Sequence, residues 1–371
     1  MEKKRIFLSS PTMNGTEMEY INSAFATNMV IPLGPNVTEF EKRMCDYSGK
    51  KRAVALSSGT SAIHLALKLA GVKSGDIVFC QSLTFSASAN PIMYQHATPV
   101  FIDSEEETWN MSPEALEKAF EKYPSCKTVV LVHLFGVPGK IDEIKKICDS
   151  HGAILIEDAA EALGAKYKGR FVGSDGKYGA ISFNGNKIIT TSGGGMLLTD
   201  SDEDADKALF WATQSRDPAP WYQHSEVGYN YRMSNISAGI GCGQMNTLDE
   251  FVEKKRRIYD IYKSELEGFS GMKFHEAEAC AYPTHWLTTA IGSFDFMKIV
   301  EGLAKENIES RPMWKPMHLQ PIFSNYGYVT EKDGVSVSDK IFESGICLPS
   351  DIKNTDEDMD KIITCIKKIL K

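Results

Sequence analysis

The sequence lacks the features of membrane and secreted proteins. No stretch approaches the roughly 20 consecutive apolar residues that a membrane-spanning helix needs. Residues 1–5 are basic, but few apolar residues and no small-residue cleavage site follow them, so they do not resemble a secretory signal. The eight cysteines are scattered, without the C-x-x-C or Cys/His spacings of zinc sites. We therefore expect a cytoplasmic protein with reduced thiols and no metal site.

Two common phosphate-binding motifs are also missing. Neither G-x-G-x-x-G nor G-x-x-x-x-G-K-[ST] occurs, and Gly193-Gly194-Gly195 is followed by Leu198 where the dinucleotide fingerprint needs Gly or Ala. A nicotinamide-dependent dehydrogenase and a P-loop protein are therefore weak hypotheses. The 49 acidic residues outnumber the 41 basic ones and give a net charge of −8. A field of this sign does not attract nucleic acid.

The hydrophobic pattern that is present predicts an α/β fold. Seven short apolar runs recur between helical stretches without polar alternation, which is typical of strands covered on both faces. We therefore expect a seven-stranded, mostly parallel sheet flanked by helices. The predicted strands are 53–56, 77–80, 99–102, 128–132, 153–156, 180–183 and 195–198. Between them, 60–70 predicts a buried helix, and 113–122 predicts an amphipathic helix with Ser112 as its N-cap.

The length predicts a second domain, because 371 residues exceed the roughly 250–300 at which single cores divide. After Gln244 the pattern changes to a long charged helix over 247–267, and 352–371 predicts a closing helix. Acidic residues flank the cluster Lys254-Lys255-Arg256-Arg257, so we interpret it as a solvated helix face. We expect a large domain over 1–245 and a smaller C-terminal α/β domain over 246–371.

The first candidate for chemistry is the hydroxyl-rich segment 57–62, which follows a predicted strand and opens a predicted helix. Small hydroxyl residues and Gly59 allow backbone N–H groups to converge on an anion, with the positive end of the helix dipole behind them. The segment therefore predicts a phosphate site, and an ordinary capped helix start is the alternative.

The second candidate is Asp158, at the carboxyl end of the predicted strand 153–156. Ligands gather at this end of the strands in open α/β sheets, so a carboxylate there points into a cleft and can hold a buried cation. A helix N-cap is the alternative role for this aspartate.

The third candidate is Lys187, in a polar turn after the predicted strand 180–183 and ahead of three glycines. Such a lysine can present its amine to a carbonyl, whereas a surface loop lysine is the alternative. Taken together, a phosphate site, a strand-end carboxylate for a pyridinium nitrogen and a lysine for a Schiff base are what pyridoxal phosphate requires.

Longer passages resemble the DegT-type sugar-nucleotide aminotransferases. The similarity lies in SSGTSAIHLAL (57–67), QSLTFSASAN (81–90), LIEDAAEALGA (155–165) and SFNGNKIITTSGGGML (182–197), and it continues through 228–235, 311–318 and 345–350. Within this family the chain is most similar to the bacillosamine-pathway enzymes that aminate UDP-4-keto-6-deoxy-N-acetylhexosamine, a likeness that the segment 8–35 shares. The resemblance implies fold type I, the architecture of aspartate aminotransferase.

The resemblance also implies roles for individual residues. Lys187 would bond the cofactor, Asp158 would face its pyridine nitrogen, Phe85 would stack on its ring, and Glu161 would lie near its ring hydroxyl. The remaining cofactor-binding residues would be Ser58, Gly59, Thr60, Ser182, Asn184 and, from a neighbouring subunit, Asn230. The substrate-binding residues would be Asn28, Arg232, Trp314 and His318.

The implied partners are L-glutamate as amino donor, a nucleotide-linked keto sugar as acceptor, and a second copy of the chain in a homodimer with shared sites. Thr284-His285-Trp286 stands where close relatives often have Arg before the Trp, which is a departure at a place of sugar-nucleotide contact. Alternative hypotheses are an aminotransferase for a dTDP- or GDP-linked 3-keto or 4-keto sugar, a sugar deoxygenase of the same fold, and a non-enzymatic regulator. The deoxygenases usually have His in place of the lysine, so Lys187 argues against that alternative.

Overall fold

The computed structural model describes residues 4–371, so residues 1–3 of the basic N-terminus lie outside it. The helices of the described chain are α1 (Glu17–Ala26), α2 (Pro35–Ser48), α3 (Gly59–Leu69), α4 (Asn90–Tyr94), α5 (Pro113–Lys122), α6 (Ile141–Ser150), α7 (Asp202–Ala212), α8 (Asn235–Met245), α9 (Leu248–Leu266), α10 (Phe296–Lys305), α11 (Val337–Ser344) and α12 (Asp356–Ile369). The first nine strands are β1 (Arg52–Leu56), β2 (Ile77–Gln81), β3 (Thr98–Ile102), β4 (Thr128–Val132), β5 (Ile154–Asp158), β6 (Lys166–Tyr167), β7 (Arg170–Phe171), β8 (Tyr178–Ser182) and β9 (Gly195–Thr199). The later strands are β10 (Lys273–Phe274), β11 (Ala281–Tyr282), β12 (Thr288–Ile291), β13 (Arg311–Pro312), β14 (Gly327–Val329) and β15 (Gly345–Leu348).

A large mixed sheet forms the centre of the molecule, with strand order β1-β9-β8-β5-β4-β2-β3-β14. All seven predicted strands lie in it, and the α/β prediction is confirmed. The pairs from β8 through β14 are parallel, whereas β9 runs antiparallel to both β8 and β1. The predicted count of seven is one strand short, because the three-residue strand β14 adds to the edge at β3.

Both faces of this sheet are buried, which explains the apolar runs without alternation. Neighbouring residues of one strand belong to different hydrophobic clusters: Phe79 packs in one cluster, and Val78 and Cys80 pack in the other. Likewise, Phe101 faces away from the cluster that contains Val100. Each strand residue therefore meets a helix layer whichever way its side chain points.

The C-terminal part builds a second sheet, β10-β12-β15-β13, with its own hydrophobic cluster. The charged helix α9 is confirmed and places Tyr262 and Leu266 in that cluster, together with Ile362 and Ile366 of α12. The strand β14 belongs to the chain after residue 245 yet pairs with the large sheet. The domain division at 245/246 stays a prediction.

The prediction of a solvated face for residues 254–257 is wrong at one position. Lys254 and Arg257 are exposed, but Lys255 is buried. Its side chain lies under the N-terminal segment, a contact that no local pattern indicates, because the two stretches are about 250 residues apart in sequence. None of the helices within residues 4–371 has the length and apolar content that crossing a membrane requires.

Candidate active site

A cavity of about 270 Å³ opens at the carboxyl ends of the central strands of the large sheet. Segments that follow β1, β2, β5 and β8 line it, together with two tryptophans from later in the chain. Ten of the residues implied by the family resemblance lie in this lining: Ser58, Gly59, Thr60, Phe85, Asp158, Glu161, Ser182, Asn184, Lys187 and Trp314. The fold therefore brings together groups from five separate stretches of sequence.

The hydroxyl-rich segment forms the N-terminus of α3. Ser58 is the N-cap, and its Oγ accepts the N–H of Ser61 at 3.0 Å. The N–H groups of Gly59 and Thr60 precede any intrahelical acceptor, as the first amides of a helix do. A Cβ on Gly59 would come within 3.0 Å of the Cβ of Ser182, so glycine permits the helix start to approach β8. The capped helix start is therefore present, and it also lines the cavity, whereas the phosphate site stays a prediction.

Asp158 is the last residue of β5 and is 5% exposed. Its Oδ2 accepts a hydrogen bond from Ser88 Oγ at 2.6 Å, and its Oδ1 accepts the N–H of Ala160 at 3.1 Å. Burial raises the pKa of this carboxyl above its usual range, and these two donors oppose the rise. Residues 159–165 form turns instead of a helix, so the N-cap alternative is wrong.

Lys187 lies in the turn between β8 and β9, where its N–H donates to the carbonyl of Asn184 at 3.0 Å. Its side chain is 13% exposed, and Nζ lies 3.5 Å from Glu161 Oε1. The same Nζ lies 3.9 Å from the centroid of the Trp286 ring. The lysine therefore points into the cavity, and the alternative of a surface lysine is wrong.

Glu161 is buried beside Lys187, and burial raises the pKa of its carboxyl to about 7. Its Oε2 accepts the N–H of Phe135 at 2.7 Å. Phe135 has a positive φ of 54°, which is uncommon for a bulky residue, and Gly136 follows it with φ 88°. This strained turn thus holds an amide donor against the carboxylate.

An aromatic wall completes the cavity. The Trp314 ring lies 5.5 Å from the Phe85 ring and 4.7 Å from the Phe135 ring, between centroids. Trp286 lies 6.3 Å from Trp314 by the same measure. Within the departure noted at 284–286, only Trp286 lines the cavity, whereas His285 stacks on Tyr259 at 3.5 Å.

Arg232 and His318, two of the implied substrate contacts, are not in the lining of this cavity, and their roles stay predictions. Arg232 is bound to Glu41 and donates to the carbonyl of Ala55 at 3.0 Å, which anchors its segment to β1. His318 is bound to Ser82 Oγ at 2.7 Å through Nδ1, and its Nε2 lies 3.1 Å from Asp339 Oδ1. Both side chains are held by partners distant in sequence, which a local motif does not reveal.

The other two residues outside the lining are Asn28 and Asn230, both exposed. Asn230 forms an isolated antiparallel bridge with Thr213 at the surface. An exposed position is compatible with the role expected of Asn230, which is to reach a neighbouring subunit. Asn28, with a φ of 56°, lies in the turn after α1 and is not itself part of the cavity lining.

The sequence reasoning missed several lining or supporting residues. Thr84 and Ser88 lie within the quoted segment 81–90, where a Thr and a Ser four residues apart form a 2.7 Å hydroxyl pair that leads to Asp158. That spacing was a usable signal. Phe135 and Trp286 carried no local signal, since each reaches the site through a loop contact with a distant segment.

The donor set of the cavity fits pyridoxal phosphate. Asp158 is a buried carboxyl with a raised pKa and two neutral donors, so a cationic ring nitrogen would complete its surroundings. The start of α3 with Ser182 suits a phosphate, and Lys187 suits an aldehyde carbon.

Comparison with known proteins extends these findings. Residues 11–367 match the model of the DegT/DnrJ/EryC1/StrS aminotransferase family. The chain is 50% identical to the putative pyridoxal phosphate-dependent aminotransferase EpsN of Bacillus subtilis (strain 168) over 369 residues, which cover 97% of this chain and 94% of that protein. It is 36% identical to the GDP-perosamine synthase of Caulobacter vibrioides, with 99% of this chain and 98% of that enzyme covered. A DegT DnrJ EryC1 StrS aminotransferase from Brucella abortus has a similar structure, with a TM-score of 0.88, 29% identity and 95% of each chain covered.

Proposed function

Because the chain belongs to the DegT/DnrJ/EryC1/StrS aminotransferase family, we propose that it transfers an amino group from L-glutamate to UDP-4-keto-6-deoxy-N-acetylglucosamine. The protein is a pyridoxal-phosphate-dependent sugar aminotransferase of fold type I. The observation that carries the proposal is the meeting of a helix N-terminus, a buried carboxyl and a lysine amine in one cavity. The choice of sugar rests on the resemblance of segment 8–35 to enzymes of the bacillosamine pathway.

The binding roles follow from the lining. When bound, pyridoxal phosphate supplies an electron-accepting ring and an aldehyde carbon that carries the amino group between the two substrates. The amides at the start of α3, with the hydroxyls of Ser58, Thr60 and Ser182, hold the phosphate. Phe85 offers an exposed aromatic face at the cavity for stacking.

Asp158 acts on the ring nitrogen. Ser88 Oγ and the Ala160 N–H orient its carboxylate, and Thr84 orients Ser88 in turn. A carboxylate that faces a ring nitrogen favours the protonated nitrogen, because the opposite charges stabilise each other in a buried site. The residue therefore keeps the ring able to accept electrons.

Lys187 acts as the mobile base. Its Nζ would take a proton from the α-carbon of the amino donor and deliver it to the aldehyde carbon of the cofactor, and it would carry a proton in the reverse direction, to the keto carbon of the sugar, in the second half of the reaction. Glu161, 3.5 Å from this amine, is the group that holds the side chain of Lys187 in place. By the family resemblance, its carboxyl would also lie near the ring hydroxyl of the cofactor. Trp286 and Trp314 limit the access of water to the amine.

A GDP-linked keto sugar is the second candidate for the acceptor. The observation in its favour is that GDP-perosamine synthases of Caulobacter vibrioides, Escherichia coli O157:H7 and Vibrio cholerae are each 36% identical to this chain. The lining residues of the cavity bear on cofactor chemistry that both candidate reactions share. The choice between a UDP-linked and a GDP-linked acceptor must therefore be tested directly.

We propose that the enzyme works as a homodimer with shared sites. Large apolar side chains are exposed in two stretches, and a second copy of the chain would cover them. They are Phe25, Val30, Ile31 and Leu33 in the first stretch and Trp221, Tyr222 and Val227 in the second. The segment of Asn230 is anchored beside the phosphate helix, since Tyr231 accepts the N–H of Ser57 at 2.7 Å and lies 3.2 Å from His64 Nδ1 through its hydroxyl. In the proposed dimer, the exposed Asn230 would contact the phosphate of the neighbouring subunit.

We also propose a cytoplasmic location, because thiols such as the free cysteines of this chain stay reduced there. Detection of the protein in the cytosolic fraction after cell lysis and ultracentrifugation tests this assignment, and recovery in the membrane pellet would contradict it.

One experiment tests the reaction and the site together. The loaded enzyme is incubated with L-glutamate and a panel of UDP-, GDP- and dTDP-linked 4-keto and 3-keto sugars, and the products are identified by mass spectrometry and NMR. We expect amination of the UDP-linked 4-keto sugar above all others. Borohydride reduction followed by peptide mapping should place the cofactor on Lys187, and a label on another lysine would contradict the site assignment.

A further inference from the structure

The carbonyl before the candidate catalytic lysine is held by two hydrogen bonds from other parts of the chain. The oxygen of Asn186 accepts Ser9 Oγ at 2.9 Å and Trp286 Nε1 at 2.5 Å. The ring of Trp286 also lies 3.9 Å from Lys187 Nζ. Ser9 and Trp286, both distant from this turn in sequence, therefore fix the peptide bond between Asn186 and Lys187.

Ser9 is in turn held by a buried lysine. Lys255 of α9 is 3% exposed, and its Nζ donates to Ser9 Oγ at 3.0 Å and to the carbonyl of Ser350 at 2.6 Å. Ser9 thus accepts from an ammonium and donates to a carbonyl. Two hydrogen bonds linked in this way strengthen each other, because a hydroxyl that is polarised by a cation is a stronger donor.

The N-terminal segment that carries Ser9 is fastened on both sides of this contact. The N–H of Leu8 donates to Glu309 at 3.2 Å, and the N–H of Ser350 donates to the carbonyl of Leu8 at 2.7 Å. The N–H of Ser10 donates to the buried carboxylate of Asp351 at 3.0 Å. The segment therefore connects the C-terminal part of the molecule to the lysine turn.

Burial of an ammonium has a cost that its surroundings only partly offset. Burial lowers the pKa of Lys255 to about 7, and the nearby carboxylate of Asp351 opposes that change. A methionine would fill the same space without this penalty. The two hydrogen bonds to Ser9 and Ser350 are what the lysine provides and methionine does not.

We propose that Lys255 and Ser9 are positioning residues for Lys187, which they hold through the carbonyl of Asn186. This inference rests on the role of Lys187 under the proposed function and deepens it. Neither residue lines the cavity, so their effect on the reaction is indirect. In this proposal Lys187 moves the proton, and Lys255, acting through Ser9, fixes the peptide bond that precedes Lys187.

Amide hydrogen exchange of the cofactor-free protein tests the contact without using activity. Ser9→Ala and Lys255→Met each remove one link, so exchange in the peptide 184–191 should accelerate roughly three- to tenfold, the range of one net hydrogen bond. Ser9→Thr keeps the hydroxyl and should restore the original rate. Lys254→Met is the matched control, because this neighbouring lysine is exposed and its contacts with Glu250, at 2.7 Å, and with the Phe251 ring, at 5.8 Å, lie within its own helix.

The loaded enzyme gives a second readout. The visible band of the bound cofactor is titrated with pH, and its midpoint should move by about half a unit in Ser9→Ala and Lys255→Met, which is a roughly threefold change in the proton equilibrium. A lower kcat with an unchanged KM should accompany it, since the substrate contacts stay intact. Lys254→Met and Ser9→Thr should titrate as the unaltered enzyme does.

Unchanged exchange in 184–191 in Ser9→Ala would overturn the inference, and so would an equal effect of Lys254→Met. If Lys255→Met does not fold, Ser9→Ala and Ser9→Thr decide the question. Borohydride labelling distinguishes failure of the proposed site from failure of the positioning role. A label on a residue other than Lys187 would contradict the proposed site. A label on Lys187 together with unchanged exchange would contradict only the positioning role.

Discussion

Glu161→Gln should make the cofactor-free protein more stable at alkaline pH. The pKa of Glu161 is about 7 in the folded protein, against an ordinary value of 4.5. A carboxyl that ionises less readily when folded has no effect below about pH 4.5, destabilises the fold increasingly between these two pKa values, and has a constant effect above them. At about 1.4 kcal/mol per pKa unit, the penalty is about 3 kcal/mol at pH 8 and under about 1 kcal/mol at pH 5.

The substitution removes the charge and keeps the local geometry. Glutamine retains an oxygen that can accept the N–H of Phe135, now at 2.7 Å from Oε2. The 3.5 Å ion pair with Lys187 lowers the pKa of Glu161 and is already included in the value of about 7, so its loss is part of the gain of about 3 kcal/mol. For a chain of 371 residues, this free energy corresponds to a rise in the thermal midpoint of about 4 °C at pH 8 and about 1 °C at pH 5.

Thermal unfolding followed by circular dichroism at the two pH values checks this expectation. The control is Glu121→Gln, because Glu121 is exposed on α5 and its loss should change the midpoint little at either pH. A Glu161→Gln protein that melts at or below the unaltered protein at pH 8 would refute the reasoning. An equal gain at both pH values would also refute it, since the effect must follow ionisation of the carboxyl.

Three further predictions concern the other site residues. Asp158→Asn should lower turnover at least roughly a hundredfold while the circular dichroism spectrum stays unchanged and the thermal midpoint does not fall, and near-full activity would contradict its role at the ring nitrogen. Arg232→Met should lower the free energy of unfolding by roughly 2 kcal/mol in a denaturant titration, because Glu41, which also accepts the N–H of Ala55, loses its ion pair. The Glu41→Gln/Arg232→Met pair should recover part of the loss, whereas an unchanged stability with a raised KM would instead support a substrate contact. Mixing Lys187→Ala and Asn230→Ala chains should give hybrid dimers with one intact site and activity above either parent, and no gain after verified subunit exchange would contradict shared sites.

The elements that build the site were predictable from local patterns. Apolar runs without alternation predicted seven of the eight strands of the large sheet, because each of these strands buries both faces. Ser112 was recognisable as an N-cap because its Oγ accepts the N–H of Ala115, which is only three residues away. Asp158 and Lys187 were found for the same reason, since each follows a strand whose position the local sequence indicates. Their convergence in one cavity follows from the shared edge of a parallel sheet.

Long-range contacts decided what local patterns left open. Arg232 and His318 stand in segments that resemble the family, yet Glu41 and Asp339 respectively hold their side chains away from the cavity. The edge strand β14 has only three residues and depends on β3 for its hydrogen bonds, so its own sequence carries too weak a signal.

The sequence by itself therefore determined the chemistry of the site: which residue types can bind a phosphate, face a ring nitrogen and react with a carbonyl, and in which local turns they stand. Only the tertiary structure decided the surroundings of those residues, including the buried Lys255, the strained turn at Phe135 and the tryptophan beside Lys187. The physical reason is that caps, turns and strand patterns close within a few residues. Burial, and the pKa of Glu161 with it, depends on segments that meet only when the whole chain has packed.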